Sequence, residues 1–413
     1  MSVTLYIGID ISLRKGMVAF LTSDGLFQGK PFEIDNNPAG FDLLRNRILA
    51  VSQSAPVHQV FIGLEASSNY SFHLLDYFNQ HPLPLATKPY LINPKYIRRF
   101  KGAFPEQEKT DLVDAQFIAE YLRFGRLPVE YRPERLQLPL QRLVRYRYHL
   151  VKSVEREKKI FLANLFLLFP AWVQQRPLKP YSATALAALN QLTIDEIAEA
   201  PLEELAAFVA AAGKNRFPDP LAVAESIQKA ARESYRLRPA LASSCQFILA
   251  SITRTLATLK QTIAQFDRAI ADEGGAFLNP LLSIKGIGPV YAAGILASVG
   301  NIKRFHSHNQ LARYAGLTWK RIQSGQTEAP EKRLVRECDK YLRYYLIQAA
   351  NSLRVHNEVF QRYYQKKYQE VPSHQHKRAL VLTARKLVRL VFALLSKNQL
   401  YDQSRVVQSP AGA

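Results

Sequence analysis

Residues 5–10 read LYIGID, residues 60–65 read VFIGLE and residues 109–122 read KTDLVDAQFIAEYL. The first two are short apolar runs rich in β-branched residues, and each closes on an acid, Asp10 or Glu65. Such runs read as buried strands. The third stretch reads as a helix, in which Asp111 and Asp114, three positions apart, share one face. A carboxylate at the end of a buried strand is costly unless it is paired or bound to a metal. Four that converge would offer hard oxygen donors to Mg²⁺, with Mn²⁺ as a substitute. Two such ions about 4 Å apart suit the in-line cutting of a phosphodiester. Taken singly, each acid has a plainer reading: Asp111 complements the helix dipole, Asp114 pairs with an arginine, Asp10 starts a turn. Their joint placement at two strand ends and on one helix face favours the metal site. Glu106 and Glu108 precede the helix, and Glu120 lies nearly two turns beyond Asp114.

Working outward, residues 3–125 alternate strand-like and helix-like stretches. Strands are expected at VTLYIGID, at GMVAFLTS and over 27–32, then a helix over 41–51, a strand at HQVFIGLE and a helix over 68–80. A fifth strand lies in PLATKPYLI. The basic segment NPKYIRRFKGAF (93–104) reads as a loop leading to the acidic helix, and its Lys95, Arg98, Arg99 and Lys101 are candidate nucleic-acid contacts. Alternation of this kind supports an α/β domain with a mixed sheet over 1–130. The order of elements is that of the RNase H/RuvC-like fold.

The middle, 131–277, has a different texture. One long helical pattern runs over 139–168, with an apolar stripe of Leu143, Leu150, Val151, Val154, Phe161, Leu165 and Leu168. It reads as one arm of a coiled coil or helical hairpin, or as an ordinary bundle helix. Arg147 and Asn164 fall near its seam. Arg142, Arg145 and Arg156 on its basic face are further candidate contacts to RNA or DNA. Residues 183–230 are Ala-rich and weakly helical, and a second long helix over 236–271 could return antiparallel. From Leu278 to 402 the chain is expected to be mostly helical. Its opening, LNPLLSIKGIGPVYAAGILASVG, has two helical halves around KGIGP, a helix-hairpin-helix-like pattern in which Lys285, Gly286 and Gly288 would offer phosphate contacts; an ordinary αα-hairpin is the plain reading. The tail 403–413 reads as disordered.

Composition sets the partner. Lys and Arg number 55 against 34 Asp and Glu, a formal net charge of +21, which points to a polyanion such as nucleic acid. Cys245 and Cys338 are the two cysteines, far apart, which suits a reducing cytoplasm. Asp10 interrupts the apolar N-terminal run, and no stretch approaches about 18 uninterrupted apolar residues, so neither a leader peptide nor a membrane span is expected.

A second chemical candidate is Ser324 in KRIQSGQ, beside Gly325 and near Lys320, Arg321, Lys332 and Arg333. A glycine permits close approach of a phosphate, and basic neighbours could stabilise charge during phosphoryl transfer. A Ser-Gly pair in a loop is otherwise a turn. IGIDIS, GLEAS and KTDLVDA resemble the N-terminal RuvC-like DEDD domain of the IS-one-ten transposases. LLSIKGIGPVYAAGILASVGNIKRF, QLARYAGLTWKRIQSGQ and DKYLR resemble their C-terminal transposase domain. The family includes the Piv-type DNA invertases, and the resemblance spans nearly the whole chain. It implies that Asp10, Glu65, Asp111 and Asp114 bind the metal and that Ser324 is a nucleophile that becomes covalently joined to DNA. It also implies donor and target DNA, a structured noncoding guide RNA, and a homo-oligomer, dimer to tetramer. The usual serine is followed by two glycines; here Gln326 follows Gly325, and Cys338 and Asp339 stand where glycine is common. Other readings of the residues are a RuvC-like structure-selective nuclease that uses water, and a non-catalytic nucleic-acid-binding protein.

Overall fold

The computed structural model describes residues 3–66, 69–104, 111–127, 130–131, 137–275, 280–319, 323–324, 327–328, 334–335 and 337–402. The chain divides into two compact units, Met1–Arg135 and Leu136–Ala413.

The first unit is built on a five-stranded sheet. Its elements run β1 (Val3–Ile11), β2 (Lys15–Thr22), β3 (Phe32–Asp35), α1 (Pro38–Ser54), β4 (Val57–Glu65), α2 (Ser71–Gln80), β5 (Ala86–Ile92), α3 (Pro94–Lys101) and α4 (Asp111–Phe124). The spatial order is β3-β2-β1-β4-β5. β1 pairs antiparallel with β2 and parallel with β4, and β4 pairs parallel with β5. Side chains alternate across a strand. Leu5, Ile7, Ile9 and Ile11 of β1 therefore face one side, where they join Leu44 and Ile48 of α1 and Leu74 and Leu75 of α2 in one core. Tyr6, Gly8 and Asp10 face the other side, which α4 covers.

Two expectations shift here. The third strand starts at Phe32 rather than near Phe27, because Gly25 and Gly29 take positive φ and Pro31 has no N–H to give a ladder. Phe27 makes one isolated bridge to Leu21. The basic segment after β5 is a helix rather than a loop: Asn93 caps α3 by accepting from the Lys95 N–H at 2.9 Å, Pro94 sits at its first position, and Ile97 is buried against α4.

The second unit is helical. It comprises α5 (Gln137–Leu168), α6 (Pro170–Gln175), α7 (Ala183–Gln191), α8 (Ile194–Glu199), α9 (Leu202–Ala212), α10 (Pro220–Arg232), α11 (Pro239–Gly275), α12 (Pro289–Val299), α13 (His308–Tyr314), the short strands β6 (Gln323–Ser324) and β7 (Thr327–Glu328), then α14 (Lys340–His356), α15 (Glu358–Gln369) and α16 (Gln375–Lys397). α5 and α11 run antiparallel: Arg147 meets Asp267 near one end, while Phe161, Leu165 and Leu168 share a core with Cys245, Leu249 and Ile252 near the other. Arg147, the misfit on the apolar seam, is explained by that ion pair; Asn164 faces out and donates to the Ile160 carbonyl at 2.9 Å.

The Ala-rich insert forms four regular helices, α7 to α10, whose Ile197, Leu205, Val209 and Ile227 join Trp172 of α6 and the α5 and α11 residues above in one core. α12, α14 and α16 build a second core with the start of α5. The described part of the first half of the expected hairpin is a single 3₁₀ turn, Pro280–Ser283, rather than an α-helix. No helix among the described residues is long and apolar enough to cross a membrane.

Candidate active site

The acids are placed by two glycines. Gly8 and Gly63 pair across β1 and β4, each two residues before its acid and on the same face. A Cβ on Gly8 would lie 2.0 Å from the Ala115 carbonyl oxygen and 2.4 Å from the Ala119 nitrogen. One on Gly63 would lie 2.9 Å from Leu122 Cδ1. Their bare backbones let α4 settle directly on the sheet. The residues of α4 that meet these glycines are Ala115, Ile118, Ala119 and Leu122, and Asp111 is one turn before Ala115 on that stripe. The acidic first turn of α4 therefore overhangs the strand ends that carry Asp10 and Glu65.

The electrostatics agree. Burial, then the carboxylates of Asp111 and Glu65, raise the Asp10 carboxyl above its ordinary value, and Lys101 partly offsets this. Asp114, mostly buried, forms an ion pair with the Lys101 ammonium, whose Nζ also lies 5.7 Å from the centre of the Phe117 ring. Lys101, expected as a nucleic-acid contact, is thus turned into the acid cluster, while Lys95, Arg98 and Arg99 are exposed on α3. Sequence reading missed the Lys101–Asp114 pairing, because in a loop Lys101 has no defined direction, whereas α3 gives it one.

Among the described residues no three Asp, Glu, His or Cys side chains stand close enough together to enclose an ion. Asp111 and Glu65 stand within electrostatic reach of Asp10, and Asp114, on the same helix face as Asp111, carries Lys101. The donor set is all oxygen, which fits a hard divalent cation. That an ammonium already seats on Asp114 shows that this corner attracts positive charge. A cavity of about 360 Å³ opens on the opposite face of the sheet, lined mainly by apolar groups such as Leu64, Leu74, Phe78 and Leu83. It is not the acid site, since its strand residues point away from α4.

Ser324 lies in the second unit. β6 and β7 pair antiparallel with Ser324 opposite Thr327; Gly325 and Gln326, like Lys320 and Arg321, lie outside the described residues. The base of this excursion is held firmly. Trp319 bridges to Leu334, and the Val335 N–H donates to the Thr318 carbonyl at 2.9 Å. Arg343 Nη2 donates to the Gly316 carbonyl at 2.7 Å, and Arg385 Nη1 to that of Leu317 at 2.9 Å. Gly316 takes φ +65°, and a Cβ there would meet Cys338 Sγ at 2.7 Å. Asp339 caps α14 by accepting from the Leu342 N–H at 2.7 Å.

Of the remaining candidate contacts, Gly286 takes φ +103° in its turn, Lys285 is exposed, and Gly288 caps α12. Arg142, Arg145 and Arg156 share one stripe of α5 with His149 and Lys152. Arg145 lies 5.0 Å over the Tyr341 ring of α14, where Lys340 also sits 5.0 Å away. Arg156 pairs weakly with Glu157 at 3.8 Å. The α14 part of this basic and aromatic surface was not legible in the sequence.

Comparison with known proteins places the two halves together. A DEDD transposase family of the IS110 type matches residues 7–170, and the family described as Transposase IS116/IS110/IS902 matches residues 278–365. A probable family 20 transposase of Pseudomonas aeruginosa is 29% identical over 160 residues, covering 37% of this chain and 46% of that protein. An uncharacterised 44.8 kDa protein of insertion element IS116 from Streptomyces clavuligerus is 24% identical over 322 residues, covering 76% of this chain and 78% of that protein. The first match contains the glycine-backed acids and the second contains the braced Ser324 excursion, in one order along one chain: the protein belongs to the IS116/IS110/IS902 family of transposases.

Proposed function

We propose that this chain is the recombinase of an insertion sequence, cutting and rejoining DNA with a divalent metal at its four acids and with Ser324 as nucleophile. The observation that carries the reading is the meeting of Asp10, Glu65 and the first turn of α4 behind Gly8 and Gly63. The strand order β3-β2-β1-β4-β5, with β2 antiparallel, supports an RNase H/RuvC-like domain. Asp10, Glu65, Asp111 and Asp114 would hold Mg²⁺, or Mn²⁺ in its place. When bound, the metal would neutralise charge on the scissile phosphate and its leaving oxygen. Lys101 would give up Asp114 to it and remain as a cation beside the acids.

In the serine step, Ser324 Oγ forms a bond to phosphorus as the bond from phosphorus to a deoxyribose oxygen of the cut strand breaks, and that oxygen takes up a proton from solvent and leaves as a free hydroxyl. The Ser324 hydroxyl proton passes to solvent, and the hydroxyl of a second strand later reverses the exchange. The exposed Lys95, Arg98 and Arg99 of α3 and the basic stripe of α5 are the surfaces for DNA and for a structured guide RNA. The assignment carries with it a three-part division at 1–130, 131–277 and 278–402, a helix-hairpin-helix-like contact at Lys285 to Gly288, a homo-oligomer of two to four chains, and action in the cytoplasm.

The test is a denaturing gel of labelled DNA with the wild type and Ser324→Ala in Mg²⁺. A protease-sensitive shifted band is expected in the wild type and its loss, with strand exchange, in the variant. Normal cleavage by Ser324→Ala would mean that water is the nucleophile and the protein a structure-selective nuclease.

A further inference from the structure

One group of charges in the second unit has no part in the acid site or in the α5 surface. Arg385 and Arg389 are one turn apart on the same face of α16. Arg385 reaches across to the α13 region: besides the Leu317 carbonyl, its Nη2 donates to Asn309 Oδ1 at 3.0 Å. His308, next to Asn309, stands within electrostatic reach of both guanidinium groups. Among the described residues neither arginine has a carboxylate partner; the ion pairs nearby belong to Arg362 and Lys367 of α15 and to Arg378 in the first turn of α16.

This is an unfavourable arrangement for a protein to hold by itself. Like charges one turn apart on a helix repel. Burial, and then Arg389, lower the pKa of Arg385; burial and both arginines lower that of His308, which favours its neutral form. An anion between the two forks reverses the balance, because charge-assisted guanidinium–phosphate bonds are among the strongest a side chain makes. Position selects the anion. Leu317, which Arg385 holds, leads through the Trp319–Leu334 bridge to the hairpin with Ser324.

We propose that Arg385, Arg389 and His308 form a phosphate seat that grips the backbone of the DNA strand entering the Ser324 hairpin. The two guanidinium groups supply the charge and the neutral imidazole donates one N–H. Which strand is held rests on the reading of Ser324 as nucleophile; the seat itself can be tested apart from it.

Arg385 also anchors Leu317, so its loss would loosen the hairpin. Arg389 is exposed and is the cleaner probe. The full-length protein is titrated with a fluorescein-labelled random-sequence DNA duplex at a series of salt concentrations. Arg389→Gln is expected to reduce the slope of log affinity against log salt by about 0.9, the value of one phosphate contact, and Arg389→Lys to keep it. Arg362→Gln, on exposed Arg362, which pairs with Glu358 at 3.6 Å, is the control and should leave the slope unchanged. An unchanged slope in Arg389→Gln overturns the seat. An equal drop in the control overturns it too, as a general effect of charge. A drop with an RNA duplex but none with DNA overturns it in favour of an RNA face. Failure of the serine reading looks different: the wild type then gives no covalent band while the difference in slope persists.

Discussion

Asp10 stands two residues beyond Gly8 on one face of β1, and Glu65 two beyond Gly63 on β4; in each strand the glycine makes room and the acid uses it. The cost of the arrangement is readable in Asp10, whose carboxyl is raised by burial and by Asp111 and Glu65. An acid with a raised folded pKa binds its proton more tightly in the folded chain than in the unfolded one. It therefore subtracts stability above its unfolded value, increasingly until the pH passes the folded value and constantly beyond. Asp10→Asn removes that penalty. In EDTA at neutral pH the variant is expected to melt above the wild type, with the gap closing as pH falls toward the ordinary value of 3.8. In Mg²⁺ only the wild type should gain stability, by mass action, and only the wild type should recombine DNA. Thermal unfolding with and without metal checks both. A variant that melts lower in EDTA would show the carboxylate to be held by bonds rather than opposed by its neighbours.

At the scale of elements, the contact of α4 with β1 is tight enough to be broken by one methyl group. Gly8→Ala would put a carbon 2.0 Å from a backbone oxygen that cannot rotate away, so α4 must lift. Overpacking of this kind costs about 3 kcal/mol, and the displaced first turn should cost more in activity than in stability. Urea unfolding beside a cleavage assay separates the two. The pairing of α5 with α11 is tuned differently. The Arg147 side chain is 11% exposed and that of Asp267 36%, so the guanidinium depends on its partner. Asp267→Ala is expected to destabilise by about 2 kcal/mol, less than a fully buried pair because Asp267 is partly wet. Arg147→Leu, which removes the charge and fills the seam, should cost far less. Chemical denaturation of the two variants gives the comparison.

For the whole molecule, the formal charge of +21 includes the basic stripe of Arg142, Arg145 and Arg156 along α5. Replacing Arg142, Arg145 and Arg156 together by Gln is expected to weaken nucleic-acid binding and flatten its salt dependence by about one unit per lost phosphate contact. Glu157, 3.8 Å from Arg156, should offset part of that residue's share. Fluorescence titrations across salt measure it, and an unchanged slope would assign this face to protein or solvent.

The sequence by itself determined the alternating strands and helices of the first 125 residues, the two acids at strand ends, the two acids on one helix face, and the long helical pair. All of these are written in short-range periodicity, which a chain carries whatever its neighbours do. Other features exist only between distant residues. Lys101 seats on Asp114 because a capped helix replaces a loop. Arg147 is tolerated on an apolar seam because Asp267, 120 residues away, is opposite. The Ala-rich insert is firmly helical because its weak stripes close over one another around Trp172. Arg385 reaches Asn309 across 76 residues of chain. Periodicity says which face of an element is apolar; it does not say what that face, or the charge beside it, will meet. That choice belongs to packing, in which burial, charge and shape are settled together by the tertiary fold.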